Sequence, residues 1–217
     1  MLGIRLAFGG LLTTLIITTF SFSQLVSLEF RNINTSAGTL DIYMTNQSGC
    51  SYCSDLTYNN HGTAASNPDA TKQKGYCYAY SDDGTWTDDN SMTEAECLAI
   101  PSIDNKGGFW FDGNVSSIQF LLSGISITGV SGGLAEQYLD WMQGSDNSDC
   151  DADGVDDDKC ANIVAITTDD GSIPTSTDEL LLMTVAFSAF NNESICFAGV
   201  GLEASGGWSP PVIADSE

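Results

Sequence analysis

The sequence predicts an all-β chain folded as a β-sandwich, and three observations predict it. Short segments alternate apolar and polar residues with a period of two, the turns between them are rich in Gly, Asn and Ser, and helical periodicity is scarce. With 217 residues and 42% hydrophobic content the chain can bury a real core, and one domain is the natural size for an all-β body.

Residues 1–23 read as a secretory signal. Arg5 supplies a positive start, an apolar stretch runs over 6–20, and Ser21 and Ser23 are the small residues of a cleavage site. The mature chain would begin at Gln24 and enter its first strand, 25–30, at once. Asn34 to Gly38 make a turn into a second strand, 39–44. Two more strands, 117–122 and 125–130, flank Ser123-Gly124. A fifth lies at 162–166, a fully apolar one at 180–187, and a last at 195–202. Residues 134–142 are the one stretch that reads as a helix. Two segments break this rhythm. Residues 50–113 hold four Cys, the single His and many Asp, Asn, Gly and Thr, and read as a disulfide-laced insertion. Residues 143–161 are an acidic loop.

Six Lys+Arg stand against 29 Asp+Glu, a net charge of −23. That balance excludes ordinary nucleic-acid binding, which needs clustered cations on phosphate, and docking on anionic lipid. After cleavage, no apolar stretch is long enough to span a bilayer. One His leaves little for His-based catalysis or zinc ligation. Seven Cys suit an oxidising compartment, and an odd number leaves a thiol over. Cys150 and Cys160 flank the acidic loop and are expected to staple it. Cys77 and Cys97 bracket a polar, aromatic segment and form the second expected pair. Cys50-Ser51-Tyr52-Cys53 has redox-motif spacing without a βαβ setting, so structural bridges are expected there. Cys196, in an apolar run, reads as a buried free thiol. Sequons at Asn34, Asn46, Asn114 and Asn192 are glycosylation candidates, although a chain rich in Asn, Ser and Thr makes such triplets by chance.

The sharpest motif is Asp149-Cys150-Asp151-Ala152-Asp153-Gly154-Val155-Asp156-Asp157. Ca²⁺ takes six to eight oxygen ligands. Carboxylates at Asp149, Asp151 and Asp153 converge on one ion if the backbone curls, and Gly154 permits the curl. Val155 would offer its carbonyl, and Asp157 closes the set directly or through water. The spacing resembles a thrombospondin-type-3 calcium loop, D-x-D-x-D-G-x-x-D. A full EF-hand is not matched, because Cys160 stands where its bidentate Glu belongs. Without a cation the crowded carboxylates repel, at roughly 1 kcal/mol per pair. A cation turns that repulsion into a staple, so the expected role is structural.

The segments 39–46, 115–120 and 129–133, with Ile173-Pro174 before 180–187, follow an order similar to cohesin-like and carbohydrate-binding-module-like sandwiches of secreted proteins. The resemblance covers about half the mature chain and implies a jelly-roll or cohesin-like sandwich. The 50–113 insertion has no counterpart in it, so no dockerin-binding surface carries over.

Other motifs carry less. Gly129-Val130-Ser131-Gly132-Gly133 matches the nucleophile-elbow pattern, with His61 and Asp104 earlier in the chain, but His61 sits in a polar loop, no strand–elbow–helix context is expected after Ser131, and a triad is defined by geometry rather than by pattern. Sugar-binding sandwiches use exposed aromatic faces. Trp86, in the polar run Gly84-Thr85-Trp86-Thr87, is the carbohydrate-binding candidate, with core packing the commoner fate of Trp. The expectation is a secreted, non-catalytic, calcium-binding structural protein that assembles with itself by strand-edge pairing into an extracellular filament or surface layer. A carbohydrate-binding or adhesion module at the cell surface is the alternative, and a secreted hydrolase ranks below both.

Overall fold

The computed structural model describes residues 25–57, 77, 84–103, 105–146, 160–190, 194–198 and 212–214. Residues 1–23, expected to be a signal, lie outside them. The chain is mostly strand and antiparallel throughout, an all-β sandwich stapled by disulfides.

Strands β1 (Val26–Asn34) and β2 (Thr39–Asn46) form a hairpin. Gly38 turns it with φ +68°, a left-handed conformation that favours glycine, and its carbonyl accepts the Phe187 N–H at 2.8 Å. The insertion follows, with β3 (Gly49–Cys53), β4 (Trp86–Asp89), helix α1 (Glu94–Leu98) and β5 (Phe109–Phe111). Next come β6 (Ser117–Ser123), β7 (Ser126–Ser131), helix α2 (Gly133–Tyr138) and β8 (Trp141–Ser145). Then β9 (Cys160–Ile166), β10 (Ser176–Ala189), β11 (Cys196–Ala198) and β12 (Val212–Ala214) complete the set.

One layer has the order β1-β2-β10-β7. The other runs β6-β9-β8, and β11 and β12 share the remaining side of β6. Alternation places the core. Leu28 and Phe30 on β1, and Leu40, Ile42 and Met44 on β2, point inward with Val185 of β10. Ile118, Phe120 and Leu122 of β6 and Ile163 of β9 meet them from the second layer. Each such side chain contributes about 1.5–3 kcal/mol by leaving water. Phe197 of β11 stacks on Phe30, centroids 4.1 Å apart, and ties the short strand across both layers.

The expected helix over 134–142 is shorter. It ends at Tyr138; Leu139 is extended (φ −112°, ψ 135°), and Trp141 opens β8 opposite Ile166. Ladder hydrogen bonds to β9 outweigh the local helical pattern here. The strand expected at 195–202 is seen as β11, with residues 199–202 outside the described set.

The insertion builds its own sheet, in the order β4-β3-β5. The expected Cys77–Cys97 pair does not form. The bridges are Cys50–Cys97 and Cys53–Cys77. Residues three apart on a strand face opposite sides, so β3 sends one thiol to each face of the small sheet. On one face Cys50 holds α1, whose start is a full capping box between Thr93 and Glu96. On the other, Cys53 and Cys77 pack with Trp86 and Phe109 in a separate small core. The same geometry removes any redox reading of the Cys50–Cys53 spacing.

The insertion leaves and rejoins the sandwich at one buried amide. Asn46 is 0% exposed. Its Nδ2 donates to the Gly113 carbonyl at 2.5 Å and the Pro174 carbonyl at 3.0 Å. The end of β2, the return of the insertion and the approach to β10 are thereby pinned together.

Two outcomes check this account. Non-reducing peptide mapping should recover Cys50 linked to Cys97 and Cys53 linked to Cys77, with no Cys77–Cys97 peptide. Asn46→Ala should lower unfolding free energy by about 1–3 kcal/mol in urea titration, because the buried Gly113 carbonyl and the part-buried Pro174 carbonyl lose their donor.

Candidate functional site

The acidic loop is the connection of a hairpin. It leaves β8 and returns in β9, and Ser145 stands opposite Asn162 in the ladder. Its ends therefore lie about one strand spacing, 4.8 Å, apart. Asp146, at the exit, accepts the Ile127 backbone N–H at 2.6 Å and ties that end to β7. Cys160, at the return, is disulfide-bonded and 1% exposed. The ligand candidates Asp149, Asp151, Asp153, Val155 and Asp157 lie outside the described residues, as does Cys150. Among the described residues no group of three or more His, Cys, Asp or Glu is placed to hold a metal.

Elsewhere the carboxylates are held by N–H and O–H donors. Asp140, just before β8, accepts from the Thr167 hydroxyl at 2.9 Å and the Thr168 N–H at 2.8 Å. The Thr168 hydroxyl and the Asp169 N–H add to the same oxygen. These donors, the Thr168 N–H first, hold the Asp140 carboxyl below its ordinary value of 3.8. The nest fixes the turn between β9 and β10 against the start of β8. In the insertion, Asp88 accepts from the Ser51 hydroxyl and the Trp86 indole N–H. The Ser91 hydroxyl and N–H hold the Asp89 carboxyl low. Asp88 thus ties β4 to β3, and Asp89 holds the turn that follows β4.

The aromatic and sugar-acceptor candidates are sorted by burial. Trp86 is 7% exposed and tilts against Phe109, centroids 5.9 Å apart, so its face is not open to a ligand. Its indole N–H finds Asp88, which is what lets a Trp in a polar run turn inward. Asn34 is exposed in the β1–β2 turn. Asn46 is buried with its Nδ2 donating twice, so the folded chain does not present it for glycosylation. Asn114 is half-buried and its Nδ2 donates to Asp112. Asn192 lies outside the described residues. Cys196 is a free thiol, half-buried rather than buried.

Contrary to the sequence expectation, a strand–turn–helix context is present around Ser131, which ends β7 just before α2. Gly132 and Gly133 both have positive φ there. Ser131 is exposed, and His61 and Asp104 lie outside the described residues. One residue the sequence did not single out is Trp141, which stands 43% exposed on β8. In a helix it would have been one apolar residue among several. The alternation that gives it away, Trp141-Met142-Gln143-Gly144-Ser145, is masked by Gly144 at an inward position.

The Asp140 nest predicts an acid sensitivity. Its folded pKa lies below the unfolded 3.8, so its stabilisation is complete above that value and is lost as pH falls through the lower, folded one. Asp140→Asn should therefore flatten the fall in melting temperature between about pH 5 and pH 2, read by circular dichroism. An unchanged slope would count against the nest. Neither a protein-family model, nor a curated protein, nor a solved structure matches the chain.

Proposed function

We propose that this chain is a secreted, non-catalytic, calcium-binding structural protein that associates with copies of itself through strand edges. The observation that carries the assembly reading is β1. Its nine residues form the margin of the first layer, with β2 on one side and no strand on the other among the described residues. The first strand is engaged in its own hairpin, so assembly would add a neighbour to its open side rather than donate it away. The register shift between Arg31 and Asn34 breaks the edge at one end and leaves 26–31 as the regular stretch for pairing.

The calcium reading rests on the alternating carboxylates at Asp149, Asp151 and Asp153, with the Val155 carbonyl and Asp157, in a loop whose ends are clamped. Clamping matters because a ligand set held near its bound shape loses less entropy on closing around an ion. Cys160 is bridged, Cys196 is free and four other cysteines are paired, so the reading assigns Cys150 as its partner inside the loop. The bridges also support an oxidising, extracellular setting. The alternative, a carbohydrate-binding or adhesion module, no longer has Trp86 to rest on.

One experiment separates the two halves. Residues 24–217 are melted and imaged by electron microscopy with calcium and with chelator. Calcium at a hundredfold excess over Kd should stabilise the fold by about 2.7 kcal/mol, and Asp151→Asn with Asp153→Asn should abolish that shift. Filaments or sheets are expected with calcium. Monodisperse monomers in both conditions would overturn assembly while leaving the loop reading to the melt.

A further inference from the structure

We infer that the outer face of the second layer, centred on Trp141, is a binding platform for a neutral polysaccharide. This goes beyond the assembly reading, because it uses the face of a sheet rather than an edge.

The residues converge by register. Trp141 on β8 stands beside Ile166 on β9. One row along, Gln143 stands beside Val164, and Val164 beside Gln119 of β6. Asn162 shares the face and accepts a hydrogen bond from Gln119 Nε2 at 3.3 Å, which confirms that these side chains project together. Gln119 and Gln143 are exposed, and the inward neighbours Met142 and Ile163 belong to the core. From β8 to β6 the patch spans about 10 Å, two strand spacings. Two rows beyond Val164, Cys160 shares this side and is 1% exposed, so the open patch runs from Trp141 to Asn162.

Charge identifies the occupant. The chain carries 29 Asp+Glu, yet none of the residues of β6, β8 and β9 is charged. The outer side of the first layer is the opposite, with Glu29, Arg31 and Asp41 on β1 and β2 and Glu179 bonded to Arg31. An ionic ligand has no partner on the uncharged face, and a polyanion is repelled by the whole molecule. A pyranose ring meets both chemistries that are present. Its C–H face carries partial positive charge and lies on the negative face of an indole. Its hydroxyls both donate and accept, as do the carboxamides of Gln119, Gln143 and Asn162. Asp140 and its threonine nest fix the backbone just ahead of Trp141, so the ring is presented from a held position.

The test is affinity electrophoresis of residues 24–217 in gels containing amylose, a β-1,3-glucan, a β-1,4-xylan or a galactomannan, with alginate and heparin as polyanionic controls. Retardation is expected in at least one neutral gel and in neither polyanion. Trp141→Ala should weaken it at least about tenfold, equivalent to about 1.4 kcal/mol, and Gln119→Ala with Gln143→Ala should also weaken it. Ile103→Ala, a substitution of a residue 60% exposed elsewhere, should leave it unchanged. Melting temperature is read for every variant, so loss of binding is counted only in folded protein. Absence of retardation in all four neutral gels overturns the proposal, as does a Trp141→Ala protein that binds like the parent. A Trp141→Ala protein that sediments as a smaller species, with glycan binding unaltered, would assign the face to a second copy of the chain instead.

Discussion

Scarcity of cations governs how this protein is held together. With six Lys+Arg for 29 Asp+Glu, most carboxylates have no opposite charge to meet. Among the described residues the ion pairs gather on one side chain, Arg31, which reaches Glu29 and Glu179 and lies over the Tyr43 ring. The remaining acids turn to the other donors available, backbone N–H groups and hydroxyls. Asp140 takes Thr167, Thr168 and Asp169; Asp89 takes Ser91; Glu96 takes Thr93; Asp146 takes Ile127. Asp89 and Asp140 hold turns, Glu96 a helix start, and Asp146 the end of β8 against β7. These carboxylates do here what capping and turn residues do generally, while Glu29 and Asp41, which lie along strands, are held by Arg31 and by a hydroxyl.

That distribution explains the contrast between the two layers. Where an acid projects from the first layer it needs Arg31 or a hydroxyl nearby, as Asp41 needs Thr184. The second layer carries no acids in its three main strands, so its outer side is free for amides and an indole. The proposed assembly and the proposed ligand binding thus draw on separate surfaces, an edge on one sheet and a face on the other.

Much of the sandwich was legible because burial and alternation coincide. Strands with one face in the core, such as β2 with Leu40, Ile42 and Met44, announce themselves at a period of two. β10 reads as a continuous apolar run because Leu182 and Met183 are both fully buried beside a register shift. Legibility fails where something other than burial sets the strand. β3, β4 and β5 are held by bridges and a small core of their own, so their sequence shows cysteines and acids instead of alternation. β8 lies at an edge with Gly144 facing in. The odd spacing of Cys50 and Cys53 did carry the information that they face apart, but only once β3 is known to be a strand. Trp86 stands in a polar run for a related reason: it opens β4, whose other residues are polar, and its own ring takes the inward fate commoner for Trp, helped by the hydrogen bond to Asp88. The proposed calcium loop lies outside the described residues, so it rests on the sequence spacing of Asp149, Asp151 and Asp153 alone.

The ladder between β2 and β10 has a kinetic meaning. It joins Leu40 to Val185, with the whole insertion and β6, β8 and β9 of the second layer strung between them. Loop closure over such a separation is slow, and the first layer cannot seal until β10 has emerged. Until then the β1–β2 hairpin carries an unpaired margin on both sides, open to whatever nascent or neighbouring chain is near. A protein of this topology passes through its most adhesive stage while it is still being made.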